Sequence, residues 1–244
     1  MMDDFYVLIL FNTKKPQLGN NIDPKWLDYR LDIFRRYTLK SLIDQTSDPS
    51  RIWMLCSPES EDILAPKIEA LKEKHPAMAT VDFIFDEEAA CNQIAPNSDP
   101  IYFLKIDSDD AYRSDTIERT RGLLGYNAEI SLLMFCNGFI YDLKTEELSG
   151  FTRWSICSYA IFYPAQTFDH ASFLKYCVCD QTKVRGRFNP RLDMSNAICC
   201  LNHDRNLHND PRREGVEGGK RTGKGPPITQ ELANAVLKEF GVPH

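Results

Sequence analysis

The first half of the chain alternates short apolar runs with segments of helical periodicity, and this alternation is the strongest constraint on its fold. Strands are expected at 5–11, 51–57, 80–87 and 101–107, and helices at 23–45 and 60–75. A strand, a helix and the next strand form a right-handed crossover, so the pattern predicts a parallel sheet covered by helices. Ligands of such sheets bind outside the carboxyl ends of the strands. We therefore expect the functional site where the strand 101–107 ends.

Beyond residue 112 the pattern changes. Strand-like runs with Asn-Gly and Ser-Gly breaks are typical of antiparallel pairs, and further helices are expected at 115–124 and 169–176. Residues 208–227 lack an apolar pattern and are predicted to form a flexible loop, followed by an amphipathic helix within 228–244. The predicted organisation is one mixed α/β domain over 1–207, with halves 1–112 and 113–207, then that loop and helix.

The composition excludes several classes of protein. The 244 residues carry a net charge of −6, which argues against nucleic acid or an anionic membrane surface as partner. The N-terminal apolar run lacks the basic flank of a signal peptide, and no run approaches the ~18 residues of a membrane span. A cytoplasmic protein without a transmembrane segment is therefore expected. The eight cysteines lack the CxxC pairs of structural zinc sites, so buried free thiols are expected.

Three carboxylates, Asp107, Asp109 and Asp110, stand within four positions at the end of the apolar run. In one interpretation they form a solvated turn in which an aspartate caps the next helix. Clustered carboxylates without a cation destabilise one another, however, and Mg²⁺ or Mn²⁺ removes that cost because both prefer oxygen ligands. A calcium loop of the EF-hand type is excluded because its sixth position would be Tyr112 instead of glycine.

Two classes of metal-dependent enzyme place a D-x-D motif after a strand. Phosphatases of the haloacid-dehalogenase type carry it on the first strand, whereas here it follows the fourth, so this class is the weaker alternative. Nucleotide-sugar glycosyltransferases carry it at the end of the fourth strand. There a metal ion holds the donor diphosphate and neutralises charge on the leaving nucleotide.

The segments 26–46, 51–57 and 104–111 resemble the GT-A-fold glycosyltransferases and are most similar to the bacterial rhamnosyltransferase family. The positions that fit its pattern are Trp26, Leu27, Arg30, Phe34, Ser41, Gln45, Trp53 and the three aspartates. Lys105 departs from the pattern, since the family often has arginine there. The resemblance covers residues 5–115 well and implies a GT-A-like, Rossmann-like mixed sheet flanked by helices. It makes 1–112 the nucleotide-binding half and 113–207 the acceptor-side half.

The resemblance also implies roles for individual residues. The implied ligands of Mn²⁺ or Mg²⁺ are Asp107, Asp109 and His203. The implied donor-binding residues are Phe11, Asn12, Thr13, Arg30, Asp107 and Asp110. Judged from the residues alone, His203 is a surface imidazole, and Arg30 is a stem packed on the sheet with its head paired to Asp28, Asp32 or another acid.

An inverting transfer, which the family suggests, needs a carboxylate that takes the proton of the acceptor hydroxyl. Asp180 follows a predicted helix and precedes a polar loop, the region where such transferases place their base. It is favoured over Asp193, which lies between Arg191 and the last predicted strand and has a salt bridge as its alternative role.

The basic segment 212–225 contains GGKRTGKG, which resembles a phosphate-binding loop. It ends in glycine instead of serine or threonine and follows no strand, so that interpretation is rejected. The segment is expected to be either a mobile loop that closes over a donor or a solvated connector.

Together these features predict a metal-dependent glycosyltransferase. It would transfer a sugar, with rhamnose as one candidate, from a nucleotide-diphosphate sugar to a glycan or another hydroxyl acceptor. The alternatives are a nucleotide-sugar-binding protein without turnover and, more weakly, the phosphatase.

Overall fold

The computed structural model describes residues 4–12, 22–94, 100–124, 129–152, 158–174, 177, 191–193, 195–203 and 223–243. Within these ranges the strands are β1 (Asp4–Leu10), β2 (Arg51–Leu55), β3 (Val81–Ile84), β4 (Ile101–Asp107), β5 (Asp110–Tyr112), β6 (Ser131–Phe135), β7 (Asn137–Asp142), β8 (Glu147–Thr152), β9 (Tyr159–Tyr163), β10 (Arg191–Asp193), β11 (Ile198–Asn202) and β12 (Gly223–Pro227). The α-helices are α1 (Pro24–Ile33), α2 (Leu39–Ile43), α3 (Glu61–Lys74), α4 (Glu87–Cys91), α5 (Thr116–Leu124), α6 (His170–Phe173) and α7 (Gln230–Glu239).

The larger sheet has seven strands in the order β10-β6-β9-β4-β1-β2-β3 among the described residues. β1 pairs in parallel with β2 and β4, and β2 with β3, while β9 is antiparallel to both β4 and β6. This topology confirms the predicted fold class, a GT-A-like mixed sheet flanked by helices. Successive β1 side chains enter different cores, Val7 on one face and Leu8 on the other. Burial on both faces explains why this strand is continuously apolar instead of alternating.

The smaller sheet has five strands in the order β12-β8-β7-β11-β5 within the described part of the chain. Strand β5 begins at Asp110 and pairs antiparallel with β11, so the polypeptide passes from the larger sheet to the smaller one at the acidic triplet. Helix α7 covers this sheet through Leu237 and Phe240, which share a core cluster with Tyr141 and Leu201. The helix expected within 228–244 is therefore part of the packed domain.

Strand β12 differs from the sequence prediction, which assigned all of 208–227 to a flexible loop. Residues Gly223–Pro227 pair antiparallel with β8 at the edge of the smaller sheet. An edge strand tolerates proline and needs no alternating apolar pattern, because only one of its sides is paired. The rest of the predicted loop lies outside the described residues.

The first long helix is interrupted by a π-helical segment, Phe34–Thr38, which joins α1 to α2. Helix α1 begins as predicted, with the Asp23 carboxylate accepting a hydrogen bond from the Lys25 amide and with a proline in the first turn. The amide of Leu39 donates to the carbonyl of Phe34, five residues earlier. Such segments are rare and are frequently found at functional sites.

The cysteines of the described residues are free and buried, as expected. Cys177, Cys199 and Cys200 belong to three different core clusters, and Cys179 lies outside the described residues. Among the helices that the structure describes, none is long and apolar enough to cross a membrane.

Gly138 in β7 provides a test of the packing between β7 and β11. A Cβ atom at this position would collide with the backbone oxygen of Ile198, whereas one at Gly150 in β8 would meet nothing within 4 Å. We expect Gly138→Ala to lower the free energy of unfolding by about 1–3 kcal/mol, the usual cost of overpacking. Gly150→Ala is the matched control and should leave it nearly unchanged. Urea denaturation measures both, and equal stabilities of the two variants would contradict the close approach.

Candidate functional site

Four elements bring polar side chains together at the carboxyl end of β4. Asp107 is the last residue of β4, Asp110 the first of β5, and Ser108 and Asp109 form the turn between them. His203 directly follows β11, which pairs with β5, and Arg30 lies in the last turn of α1. The location agrees with the expectation that ligands of such a sheet bind beyond its strand ends.

The guanidinium of Arg30 is the centre of this cluster. Its Nη1 lies 2.5 Å from Oδ2 of Asp109 and 3.3 Å from Nε2 of His203, and the Asp109 and His203 atoms are 3.2 Å apart. Its Nη2 donates to Oγ of Ser108 at 2.5 Å. The guanidinium also lies over the Trp26 ring, 5.5 Å from its centroid. Sequence reasoning did not single out Ser108, although this serine lies inside the D-S-D motif.

The partner of Arg30 is neither of the two acids that were named from the sequence. Asp28 pairs with Lys67, and Asp32 pairs with Arg35. Burial alone would raise the pKa of Asp109, but the neighbouring guanidinium of Arg30 and the imidazole of His203 outweigh it. The pKa of Asp109 is therefore held well below its usual range. Only the family pattern gave Arg30 a role at the site, and the ion pair itself joins residues 79 positions apart.

A second internal cation neutralises Asp107. Lys105 is 1% exposed, and its Nζ lies 3.0 Å from Oδ1 of Asp107 and 5.8 Å from the centroid of the Tyr159 ring. The hydroxyl of Tyr112 fixes the backbone here by donating to the carbonyl of Lys105 at 2.5 Å. The Asp107 side chain is 30% exposed and so remains partly accessible to a ligand. The lysine that interrupts the apolar run in the sequence therefore belongs to the site.

Asp110 and His203 complete the buried part of the cluster. Asp110 is 3% exposed and, together with Asp107 and Asp109, counteracts the effect of burial so that the pKa of Arg30 is raised. His203 is buried as well, and its ring meets that of Tyr29 edge to face at 5.3 Å. It is therefore not a surface imidazole.

Ser41 and Gln45 connect α2 to the backbone that follows this cluster.

 Both belong to the family pattern named above. Oγ of Ser41 accepts a hydrogen bond from the amide of Tyr112 at 3.1 Å, which ties the helix to β5. The Gln45 amide group donates to the carbonyl of Arg113 and accepts from the amide of Ile117, so it bridges α2 to the start of α5. These two side chains fix the helix that carries Arg30 against the turn that carries Asp109.

Phe11 and Asn12, two of the implied donor-binding residues, directly follow β1 and are buried. Oδ1 of Asn12 accepts from the amide of Ser57 at 2.9 Å and thereby joins the ends of β1 and β2. The Phe11 ring lies 6.0 Å from that of Trp26, beside the Arg30 cluster. Thr13 lies outside the described residues.

The two candidate bases are placed differently. Asp180 lies outside the described residues. Asp193 ends β10, which two strands, β6 and β9, separate from β4 in the larger sheet, so the structure does not bring its carboxylate to the Arg30 cluster. Its Oδ1 accepts from the amide of Ser195 at 2.9 Å and pairs with Arg119 at 3.3 Å. Its Oδ2 is buried and has no hydrogen-bond partner among the described residues.

The donor set expected for Mn²⁺ or Mg²⁺ is partly assembled. Among the described residues, no group of three His, Cys, Asp or Glu side chains is close enough to hold an ion. Asp109 and His203 do converge, and their 3.2 Å spacing is close to the roughly 3 Å between neighbouring ligand atoms of an octahedral ion with bonds of about 2.1 Å. Carboxylate and imidazole suit Mn²⁺. The pair fits an ion once the Arg30 guanidinium, which contacts both donor atoms, has moved.

The Arg30–Asp109 ion pair provides a test of this geometry by a double-mutant cycle. Arg30→Met leaves a buried carboxylate without its cation and should lower the free energy of unfolding by about 3–5 kcal/mol. Asp109→Asn is also destabilising, but the double variant should cost less than the sum of the two single changes, because neither charge is then left alone. Urea denaturation measures the cycle. Arg35→Met, which removes a more exposed pair, is the control, and additive effects of the two site changes would contradict a direct contact.

Comparison with known proteins gives a family match and distant structural likenesses. The family model described as "Putative rhamnosyl transferase" matches residues 18–156, which include α1, β4 and the acidic triplet. No curated protein sequence matches the chain significantly.

The solved structures similar to this chain include a 4-diphosphocytidyl-2C-methyl-D-erythritol synthase from Anaerococcus prevotii DSM 20548, at 14% identity and a TM-score of 0.39, covering 96% of this chain and 99% of that one. Another is a "putative nucleotide-diphospho-sugar transferase" from Desulfovibrio desulfuricans G20, at 12% identity and a TM-score of 0.39, covering 83% of each chain. A TM-score of 0.39 is too low for either structure to indicate a property of this chain, so the assignment depends on the family match. Because that match spans more than half of the sequence, the chain belongs to the family described as "Putative rhamnosyl transferase".

Proposed function

We propose that the protein is a glycosyltransferase that moves a sugar from a nucleotide-diphosphate sugar to a hydroxyl group of a glycan or another acceptor. The observation that carries this proposal is the cluster of Arg30, Asp109 and His203 at the carboxyl end of β4, in a chain of this family. The family description supports rhamnose as the first sugar to test. A protein that binds the donor without turnover is the competing outcome.

The charges of the cluster support a divalent ion as cofactor. Among the described residues of the cluster, three carboxylates, of Asp107, Asp109 and Asp110, lie near two internal cations, Arg30 and Lys105. A donor diphosphate would meet net repulsion there, and Mn²⁺ or Mg²⁺ reverses the sign. We assign Asp109 and His203 as ligands of the ion, with Asp107 as the third protein group. When bound, the ion neutralises charge on the leaving nucleoside diphosphate.

The residues of the chain have separate tasks in the proposed transfer. The acceptor oxygen attacks the anomeric carbon of the donor sugar, the bond from that carbon to the phosphate oxygen breaks, and the nucleoside diphosphate leaves with the bonding electrons. A carboxylate takes the proton of the acceptor hydroxyl. Asp107, which is partly exposed, and the buried Asp110 are assigned to orienting the donor. Phe11, Asn12 and Thr13 are assigned to contacts with the nucleobase of the donor.

The catalytic base is proposed to be Asp180 or Asp193, and a different observation supports each. Asp193 has one carboxylate oxygen occupied by Arg119 and Ser195, while the other has no partner among the described residues. That second oxygen is the one that would accept the proton, while the first keeps its hydrogen bonds to Arg119 and Ser195. Asp180 has in its favour its place between a helix and a polar loop in the sequence.

Asp109→Asn tests the assignment of the cluster. With a panel of nucleotide sugars and Mn²⁺, wild-type protein should release nucleoside diphosphate in the presence of an acceptor. The variant should lose about 100-fold or more in kcat/KM, because a charge that the transition state needs has been removed. Asp32→Asn, an exposed change on α1, is the control and should keep full activity. Donor binding without any release of nucleoside diphosphate from wild-type protein would favour the binding protein.

Asparagine substitutions at the two candidate bases separate catalysis from stability. The base variant should lose about 100-fold or more in kcat with little change in donor KM. Asp193→Asn should also lower the melting temperature, because it weakens the buried pair with Arg119, whether or not Asp193 is the base. Kinetics and thermal melting of both variants decide the assignment. An unchanged kcat in both variants would exclude both residues as the base.

A further inference from the structure

The Arg30 guanidinium contacts both atoms that an ion would need. Nη1 lies 2.5 Å from Oδ2 of Asp109 and 3.3 Å from Nε2 of His203. A guanidinium can only donate hydrogen bonds, so at Asp109 it uses a lone pair that a metal ion would use, and it also occupies the space beside Nε2 of His203. A positively charged group and a divalent cation cannot share these two atoms, because each repels the other at such short range. Ion and guanidinium therefore compete for one position.

The guanidinium is held firmly, but not completely satisfied. Ser108 accepts from Nη2, and the ring of Trp26 lies beneath the group. Its third nitrogen, Nε, is buried and has no hydrogen-bond partner among the described residues. An unpaired buried donor costs free energy, typically about 1–3 kcal/mol. This cost lowers the free energy needed to move the head of Arg30 away from Asp109.

We propose that Arg30 is a built-in counter-ion of the metal site, and that a divalent ion must displace its guanidinium to reach Asp109 and His203. In the absence of an ion, the guanidinium neutralises the buried Asp109 and keeps the acidic turn folded. The protein therefore limits its own affinity for the ion by the free energy of the Arg30–Asp109 contact. This inference rests on the proposed function for the identity of the cofactor, but its test needs neither donor nor acceptor.

Mn²⁺ binding to the full-length, nucleotide-free protein provides the test, because free Mn²⁺ is measured directly by electron paramagnetic resonance. Arg30→Met, which keeps an apolar stem, should bind Mn²⁺ about tenfold or more tightly than wild-type protein, the size of a typical coupling between two competing ligands. Arg35→Met removes the same charge from a more exposed pair on the next turn of the helix and should leave the affinity unchanged. Arg30→Met combined with Asp109→Asn should lose the gain.

Ser108→Ala is the second variant, and it carries the test where Arg30→Met does not fold. It changes no charge but removes the acceptor that anchors Nη2, so the affinity for Mn²⁺ should rise about threefold, in line with the loss of one hydrogen bond. A Ser108→Ala gain cannot arise from general electrostatics. Circular dichroism at the temperature of the titration establishes that each variant is folded.

The outcomes separate the counter-ion role from the proposed function. Equal or weaker Mn²⁺ binding by Arg30→Met, or by Ser108→Ala where that variant carries the test, overturns the counter-ion role. The same wild-type preparation is assayed for release of nucleoside diphosphate from nucleotide sugars. Its failure there would overturn the proposed function, whatever the ratio of Mn²⁺ affinities.

Discussion

A charge that is taken out of water must be compensated inside the protein, and the packing between α1 and the end of β4 depends on this requirement. Arg30 and Asp109 are both largely buried, and each would be costly alone. Their contact holds the turn after β4 against the helix, and Ser108 and His203 are hydrogen-bonding neighbours of the same guanidinium. Lys105 likewise compensates the charge of Asp107, at the start of the turn. The acidic turn is thus stable before any ligand arrives.

The arrangement explains why Ser41 and Gln45 belong to the family pattern together with Arg30 and the three aspartates. Ser41 and Gln45 support the acidic turn indirectly, because they bond to the backbone at Tyr112, Arg113 and Ile117, just after it. They thereby set the distance between α1 and β5. A site of this kind needs its supporting hydrogen bonds as much as its charged groups, since a displacement of about 1 Å is enough to impair a catalytic site.

The sequence predicted the local elements better than the contacts between them. The strands β1 to β4 and the position of Asp107 followed from apolar runs and from the rule that ligands lie at strand ends. The partner of Arg30 did not follow, because Asp28 and Asp32 are near in sequence and Asp109 is near only after folding. Strand β12 was missed since its pairing involves backbone groups alone. The family resemblance, not periodicity, brought His203 and Asp109 into one hypothesis.

The π-helical segment Phe34–Thr38 has a geometric consequence for the two ends of the helix that contains it. Arg30 precedes it and Ser41 follows it, so the segment sets the rotation between the side chain that meets Asp109 and the one that meets Tyr112. In a regular α-helix each residue advances the direction of the side chain by about 100°. If the same residues formed a regular α-helix, the two contact faces would be rotated relative to each other, because each residue of a π-helical segment turns the helix by less than a residue of an α-helix does. The π-helical segment therefore determines how the side chains of Arg30 and Ser41 are rotated relative to each other.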